Sequence, residues 1–280
     1  MNMFYTNMSQ KFLKRQAIKV ITGLSNFNIN NVMHKVKAAE MAGATYIDIA
    51  AHPDLVSIVK YNTYLNVCVS SINPMDLYRC VLVGADMVEI GNFDLFYNKD
   101  IAFSSSQILR VAQETKYLLN STNICVTIPH HLYIEDQIKL VANLEKIGID
   151  CIQTEGFNTK NQIFDRNKSF VFKSIYKSSS ALSSSYVLSK VLNISIIAAS
   201  GINILSAPIA ISCGASAVAI GSTLDGLSST YIVINYIKDL AEVINDQHYY
   251  ISSKKHLTLR KCKNIGSYNN FLIHESNRID

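Results

Sequence analysis

Short apolar runs alternate with longer amphipathic segments between residues 17 and 244. One mark recurs where they join: a helical pattern ends on Gly, two residues follow, and an apolar run begins. It appears as Gly43-Ala44-Thr45 before 46–50, and as Gly84-Ala85-Asp86 before 87–91. It returns as Gly148-Ile149-Asp150 before 151–155 and as Gly214-Ala215-Ser216 before 217–222. Gly just past a helix end takes the left-handed conformation that strains other residues. A short loop into a buried strand is the natural continuation.

Read by period, the remaining segments complete eight βα units. Strands are predicted near 17–23, 46–50, 65–70, 87–91, 123–129, 151–156, 194–200 and 217–222. Helices are predicted near 29–42, 53–60, 74–83, 104–119, 134–147, 181–192, 205–213 and 230–244. Asn73-Pro74 sets a capping side chain before a proline at the first helical position, and His52-Pro53-Asp54 resembles it. In the fifth helix Ile134, Ile138, Val141 and Leu144 form one stripe, with Glu135, Lys139 and Lys146 off it. Outside the pattern lie an N-terminal extension, 1–16, a polar basic connection, 157–180, and a polar basic tail, 245–280. The connection reads as a lid over a barrel mouth or as a solvated insertion.

Eight alternating pairs fit two architectures. A doubly wound sheet carries its phosphate loop after the first strand. There this chain has Gly23-Leu24-Ser25-Asn26 and no G-x-G-x-x-G. Its glycine-bearing turns follow strands seven and eight, where a (β/α)₈ TIM barrel holds phosphate. A single (β/α)₈ barrel over 17–244 is therefore the expected fold.

Polar residues inside the strands then acquire a direction. A charge on the helix-facing side would be buried in apolar packing at a cost of several kcal/mol, so it points to the barrel axis. Lys19 lies between Ile18 and Val20, Asp48 between Ile47 and Ile49, and Glu89 between Val88 and Ile90. Gln153 and Glu155 flank Thr154. One reading is an active site in which burial lowers the pKa of Lys19, making it a Schiff-base nucleophile or general base, with Asp48, Glu89 and Glu155 moving protons. The other is a satisfied network in which Asp48 or Glu89 merely neutralises Lys19. Thr127, Pro129, His130 and His131 top strand five and His52 tops strand two, without H-x-H or H-x-x-x-H spacing. No metal site is expected from them.

The sharpest local feature is a pair of turns. Strand seven ends Ala198-Ala199-Ser200-Gly201-Ile202, and strand eight ends Ala219-Ile220-Gly221-Ser222-Thr223. Glycine there lets backbone N–H groups approach an anion, and Ser200, Ser222 and Thr223 add hydroxyl donors. Phosphate binding at Ser200, Gly201, Gly221 and Ser222 is the expectation; tight βα turns with no ligand are the alternative.

Composition narrows the setting. Hydrophobic residues make up 49% and charged residues 17%, enough for a sizeable core. No apolar run approaches the roughly 20 residues that span a bilayer, and no membrane partner is expected. The net charge of +5 gathers at Arg166, Lys168, Lys173 and Lys177 and at Lys254, Lys255, Arg260, Lys261 and Lys263. Without interleaved aromatics these read as solvated faces rather than a nucleic-acid site. The six cysteines show no C-x-x-C pair and suit buried thiols in a reducing compartment. Met1 to Gln16 has no secretory h-region or cleavage site, and is short for a transit peptide.

These residues carry a resemblance. The stretch 17–27 (AIKVITGLSNF), 44–53 (ATYIDIAAHP), Thr154-Glu155-Gly156 and the ASGI and GASAVAIGS segments at 199–202 and 214–222 resemble the Ycf23 family, encoded in algal plastids and found in cyanobacteria. The resemblance spans most of 17–244. It implies a barrel and a place in the plastid, in the chloroplast stroma, and brings no activity with it. At the level of fold the last two strands also look like thiazole synthase and other phosphate-binding barrels, and like flavin-dependent barrel oxidoreductases. The expected function is binding of a small phosphorylated metabolite, with Lys19, Asp48, Glu89 and Glu155 supplying acid–base or carbinolamine chemistry. An FMN-binding oxidoreductase and a non-catalytic ligand-binding or regulatory barrel are the alternatives, and no other cofactor is suggested.

Overall fold

Eight parallel strands pair in sequence order, and the last returns to the first to close a barrel. They are β1 (Ala17–Ile21), β2 (Tyr46–Ala50), β3 (Asn66–Ser71), β4 (Met87–Ile90), β5 (Asn123–Ile128), β6 (Cys151–Thr154), β7 (Ser195–Ala198) and β8 (Ala217–Ile220). This computed structural model describes residues 3–23, 25–91, 93–97, 101–156, 169–227 and 229–253. All eight predicted strands are present. Gly43, Gly84, Gly148 and Gly214 have φ of 76°, 107°, 80° and 102°, the left-handed turn read from the repeating mark.

An outer layer of helices surrounds the strands: α2 (Ile29–Ala42), α3 (Pro53–Asn62), α4 (Pro74–Leu82), α6 (Ser105–Leu118), α7 (Ile134–Lys146), α8 (Phe170–Val191), α9 (Ser206–Ser212) and α11 (Thr230–Ser253). Short helices α5 (Asp94–Tyr97) and α10 (Ser222–Asp225) sit in the loops after β4 and β8. Between strands and helices runs a continuous core that includes Ile18, Val20, Ile47, Ile49, Val88 and Ile90, the flanking residues of the inward polar positions. The Asn73 side chain accepts from the Met75 amide before Pro74, the predicted cap, whereas His52 makes no side-chain cap bond. Among the described residues no helix is long and apolar enough to cross a membrane.

Inside the barrel the inward residues stack by height. The lower layer holds Tyr46, Cys68, Met87, Cys125 and Cys151, and the next inward position on the same strands holds Asp48, Ser70, Glu89, Thr127 and Gln153. Strands β7 and β8 contribute Ile197, Ala199, Ala217 and Ala219 to the inner apolar cluster. With Lys19 on β1, six strands thus place polar groups on the axis, and β7 and β8 place apolar ones. Burial pushes the Cys68 and Cys125 thiols well above their ordinary value, in keeping with inert core cysteines.

Three segments differ from the sequence reading. The N-terminal extension contains a helix, α1 (Met3–Leu13). Met8 and Phe12 pack on the inner cluster, with the Phe12 ring 6.2 Å from that of Tyr46, so α1 closes the lower end of the barrel. The final helix continues past 244 to Ser253, and 254–280 lies outside the described residues. Of the expected 157–180 connection, 157–168 also lies outside them, but 170–180 is the first half of α8. Ser169 caps it, accepting from the Phe172 amide. The first half of the helix is hidden from hydrophobic periodicity because its buried stripe, Ser174, Ser178, Ala181, Ser184, Ser185 and Leu188, is mostly serine. Those small residues let α8 lie close to the sheet, and the Thr154 and Ser185 hydroxyls meet at 3.2 Å.

The close approach culminates at Gly156. A Cβ there would lie 2.3 Å from the Ser200 carbonyl oxygen and 2.6 Å from that of Lys177, both backbone atoms. Gly156→Ala is expected to destabilise the protein by about 2 kcal/mol or more. At Gly43, with open space around its Cβ position, only left-handed strain of about 1 kcal/mol applies. Urea unfolding of the two variants checks the order; equal losses would contradict it.

Candidate functional site

The site rests on Lys19. Its ammonium has three protons and finds three acceptors: Asp48 Oδ2 at 2.8 Å, Gln153 Oε1 at 3.0 Å, and Glu89 Oε2 in a short contact. The second Glu89 oxygen accepts from the Gln153 amide at 2.7 Å and from the Thr127 hydroxyl at 2.9 Å. Asp48 accepts from the Ser70 hydroxyl at 2.8 Å. Lys19 and Asp48 are fully buried and Glu89 is nearly so. Alternation along the strands thus brings Lys19, Asp48, Glu89 and Gln153 together on the axis, as the sequence suggested.

The electrostatics correct one expectation. Burial, the largest influence on Lys19, lowers its pKa, but Asp48 and Glu89 together carry it well above the ordinary lysine value. A lysine made nucleophilic by a lowered pKa is therefore not what the barrel holds; the ammonium stays charged. Asp48 is pushed up to about 6, first by burial and then by the Glu89 charge, with Lys19 opposing. The reason is arithmetic: two carboxylates share one cation, so the lysine gains from both while each acid is repelled by the other.

Above this layer a cavity of about 150 Å³ opens at the C-terminal ends of the strands. The four residues expected at a phosphate, Ser200, Gly201, Gly221 and Ser222, line it together with Glu89 and Glu155. Lys19 and Asp48 do not line it and lie beneath. The small residues Ala199 and Ala219 form its wall and account for the space. Ser200 and Gly201 have φ of 63° and 74°, two consecutive left-handed residues that turn the chain sharply. Ser200 holds this conformation without being glycine, the kind of backbone strain that concentrates at ligand sites.

Among the described residues, the amides of Gly201 and Ser222 and the hydroxyls of Ser200 and Ser222 have no hydrogen-bond partner. Thr223 differs from the sequence reading: its hydroxyl donates to the Ile202 carbonyl at 3.2 Å and ties the two turns together. The glycines also do structural work that the sequence did not reveal. A Cβ on Gly201 would meet Lys177 Cβ at 2.6 Å, and one on Gly221 would meet Ile21 Cβ at 3.2 Å.

Glu155 stands apart from the axial network. Its Oε2 accepts from the Tyr97 hydroxyl at 2.7 Å, from His130 Nδ1 at 2.8 Å and from the His130 amide at 3.1 Å. Tyr97 is unsignalled in the sequence, because a four-residue helix has no periodicity to read. His131 Nε2 lies 3.2 Å from the Phe103 carbonyl, and His52 lies out on the rim beside Asp54. No group of three or more potential metal ligands occurs among the described residues. Lys35 was also missed. It sits on the buried face of α2, lines the cavity, and donates to the Thr22 carbonyl at 3.0 Å and to Asp225 Oδ1 at 2.5 Å. A single lysine in an amphipathic helix carries no signal that separates it from a surface lysine.

Comparison with known proteins adds kinship. The model of a family described as "Protein of unknown function (DUF561)" matches residues 3–250. A relative named "Uncharacterized protein ycf23" from Antithamnion sp. is 41% identical over 278 residues, covering 95% of this chain and 100% of its own. A protein of the same name from Cyanophora paradoxa is 37% identical, covering 85% and 97%. Among solved structures, a thiamine phosphate pyrophosphorylase from Pyrococcus furiosus superposes with TM-score 0.53 at 16% identity, over 83% of this chain and 97% of that one. A 3-hexulose-6-phosphate synthase gives 0.54 at 13%, over 81% and 99%. At such identity the solved structures share the barrel.

The charge imbalance around Lys19 fixes a pH dependence. The folded state keeps a proton on Asp48 that the unfolded chain releases near 3.8, so Asp48's contribution to stability falls as pH rises through about 6. Asp48→Asn removes this titration and leaves the Lys19–Glu89 pair. Its stability relative to the parent should grow by roughly 1–3 kcal/mol between pH ~4 and ~7. Lys19→Met strands two buried carboxylates and should cost about 3–5 kcal/mol at neutral pH. The Lys19 contribution, with its pKa raised, should persist until strongly alkaline pH. Urea unfolding at several pH values tests both variants, and a pH-independent gap for Asp48→Asn would refute the assignment.

Proposed function

The chain belongs to the DUF561 family, to which the ycf23 proteins are its relatives, and from that premise we propose that it binds a small phosphorylated metabolite at the ends of β7 and β8. The carrying observation is the pairing, in one cavity, of unengaged amides and hydroxyls from two consecutive turns with carboxylates on the opposite wall. Gly201, Gly221, Ser200 and Ser222 would surround the phosphate. Backbone N–H groups and hydroxyls suit its oxygens at little cost in reorganisation. Two barrels of the same fold are named for phosphorylated compounds, thiamine phosphate and hexulose 6-phosphate, which agrees with this reading.

The other half of the cavity sets the chemistry. The side chains of Glu89 and Glu155 reach it, one held from below by Lys19, Thr127 and Gln153, the other held at the rim by Tyr97 and His130. Such groups accept protons or hydrogen bonds from the hydroxyls of a short phosphorylated chain and can serve as general bases. Lys19 and Asp48 act through Glu89, as positioning residues; carbinolamine chemistry has no place in this reading, since Lys19 stays protonated beneath the wall. The plastid is part of the same proposal.

The FMN alternative uses the same turns but fits less well. A cavity of about 150 Å³ is the size that encloses a benzene ring. A tricyclic flavin would have to lie outside it, over charged and amide side chains. A binding barrel without turnover differs only in what Glu89 and Glu155 do.

Protein purified gently should be colourless, with no band at about 450 nm, and should bind glycerol 3-phosphate in a ³¹P titration. Ser222→Ala should weaken binding several-fold without changing the melting temperature. Gly201→Ala is a poor probe, because its Cβ collides with Lys177. A yellow protein, or one that ignores every phosphorylated compound offered, would refute the proposal.

A further inference from the structure

The cavity has an uneven charge. Among the described residues that line it, Lys35 is the only one with a positive side chain, facing Glu89, Glu155 and Asp225. Lys35 is 7% exposed, set among Val32, Val36 and Ala39 on the inner face of α2. An ammonium buried to that degree is stable only when paired. Its three protons meet two acceptors among the described residues, the Thr22 carbonyl at the end of β1 and Asp225. Lys35 also lines the cavity, and no third acceptor for it occurs among the described residues.

Asp225 is a different kind of partner. Its side chain is 62% exposed, and it closes the helix that begins at Ser222. The turn that offers the Ser222 amide and hydroxyl therefore also brings its own carboxylate to the one cation on the wall. A phosphate settled among Gly201, Gly221 and Ser222 would need that cation and would lie beside that carboxylate.

Resting on the phosphate reading above, we propose that Lys35 is the counter-charge of the ligand's phosphate and that Asp225 competes with the ligand for it. Affinity is then set by the difference between two anions at one ammonium, a built-in anion that is exposed and replaceable and a ligand that brings more charge and more acceptor oxygens. The arrangement would favour a dianionic phosphate over a carboxylate or a sulfate monoester, which match Asp225 in charge and gain little by displacing it. A purely structural Lys35–Asp225 pair would instead leave phosphate affinity unchanged when the exposed member is neutralised.

Calorimetric titration of the full chain with inorganic phosphate and with glycerol 3-phosphate separates these cases. Asp225→Asn should tighten both anions about fivefold or more, and Lys35→Met should weaken them at least about tenfold. Circular dichroism reports whether Lys35→Met is folded; should it not be, Asp225→Asn decides alone, since its side chain lies at the surface. Wild-type binding that Asp225→Asn leaves equal or weaker overturns this inference and leaves the phosphate site standing. Binding that appears only in Asp225→Asn supports it. Failure of both wild type and Asp225→Asn to bind either anion removes the phosphate reading and this inference together.

Discussion

One buried cation organises this molecule. Lys19 satisfies its ammonium with three side chains from β2, β4 and β6, strands that are not neighbours of one another. Asp48 in turn accepts from Ser70 and Glu89 from Thr127, each on the strand beside it, while the Gln153 amide donates to both Glu89 and Thr127. A cross-brace of this kind fixes the barrel's girth at one height. It also explains why the polar layer is complete on one side only, because β7 and β8 answer with Ile197, Ala199 and Ala219 and leave the void that becomes the cavity.

The cavity inherits two characters from this asymmetry. On one wall stand side chains whose positions are fixed by the brace, with Glu89 the member that reaches the ligand space. On the other stand backbone turns, Ser200-Gly201 and Gly221-Ser222, whose amides are available because the chain has just left the sheet. Carboxylates held in place across from unengaged amides are the arrangement on which the proposed phosphate-metabolite site rests. Lys35 and Asp225 join the halves from the side, one drawn from the helix after β1 and the other from the turn after β8.

Much of this was legible in the chain. A charged residue between two β-branched ones points inward, so Lys19, Asp48 and Glu89 could be placed on the axis from alternation alone. The paired glycine turns marked the mouth. What the sequence did not disclose depends on distance rather than pattern. The pKa of Lys19 turns on two carboxylates from other strands, and their combined pull outweighs the desolvation that a single strand would suggest. Tyr97 and Lys35 come from elements whose local sequence is unremarkable, and their roles exist only after closure of the barrel. The helical start at Phe170 was obscured because serine served as the buried residue type, which hydrophobic periodicity cannot detect.

The serine face of α8 has a mechanical meaning. Lys177 presses its backbone against both Gly156, at the exit of β6, and Gly201, at the exit of β7, with no space for a single extra carbon at either point. A helix seated on two glycines has neither the clearance to slide along its axis nor the clearance to roll. The rim from Glu155 to Gly201 and the first turns of α8 therefore behave as one rigid piece, and tolerance for sequence change should end at the side of the helix that faces them. Added bulk should be tolerated better at an exposed position such as Val171, whereas the inner side sets the shape of the mouth.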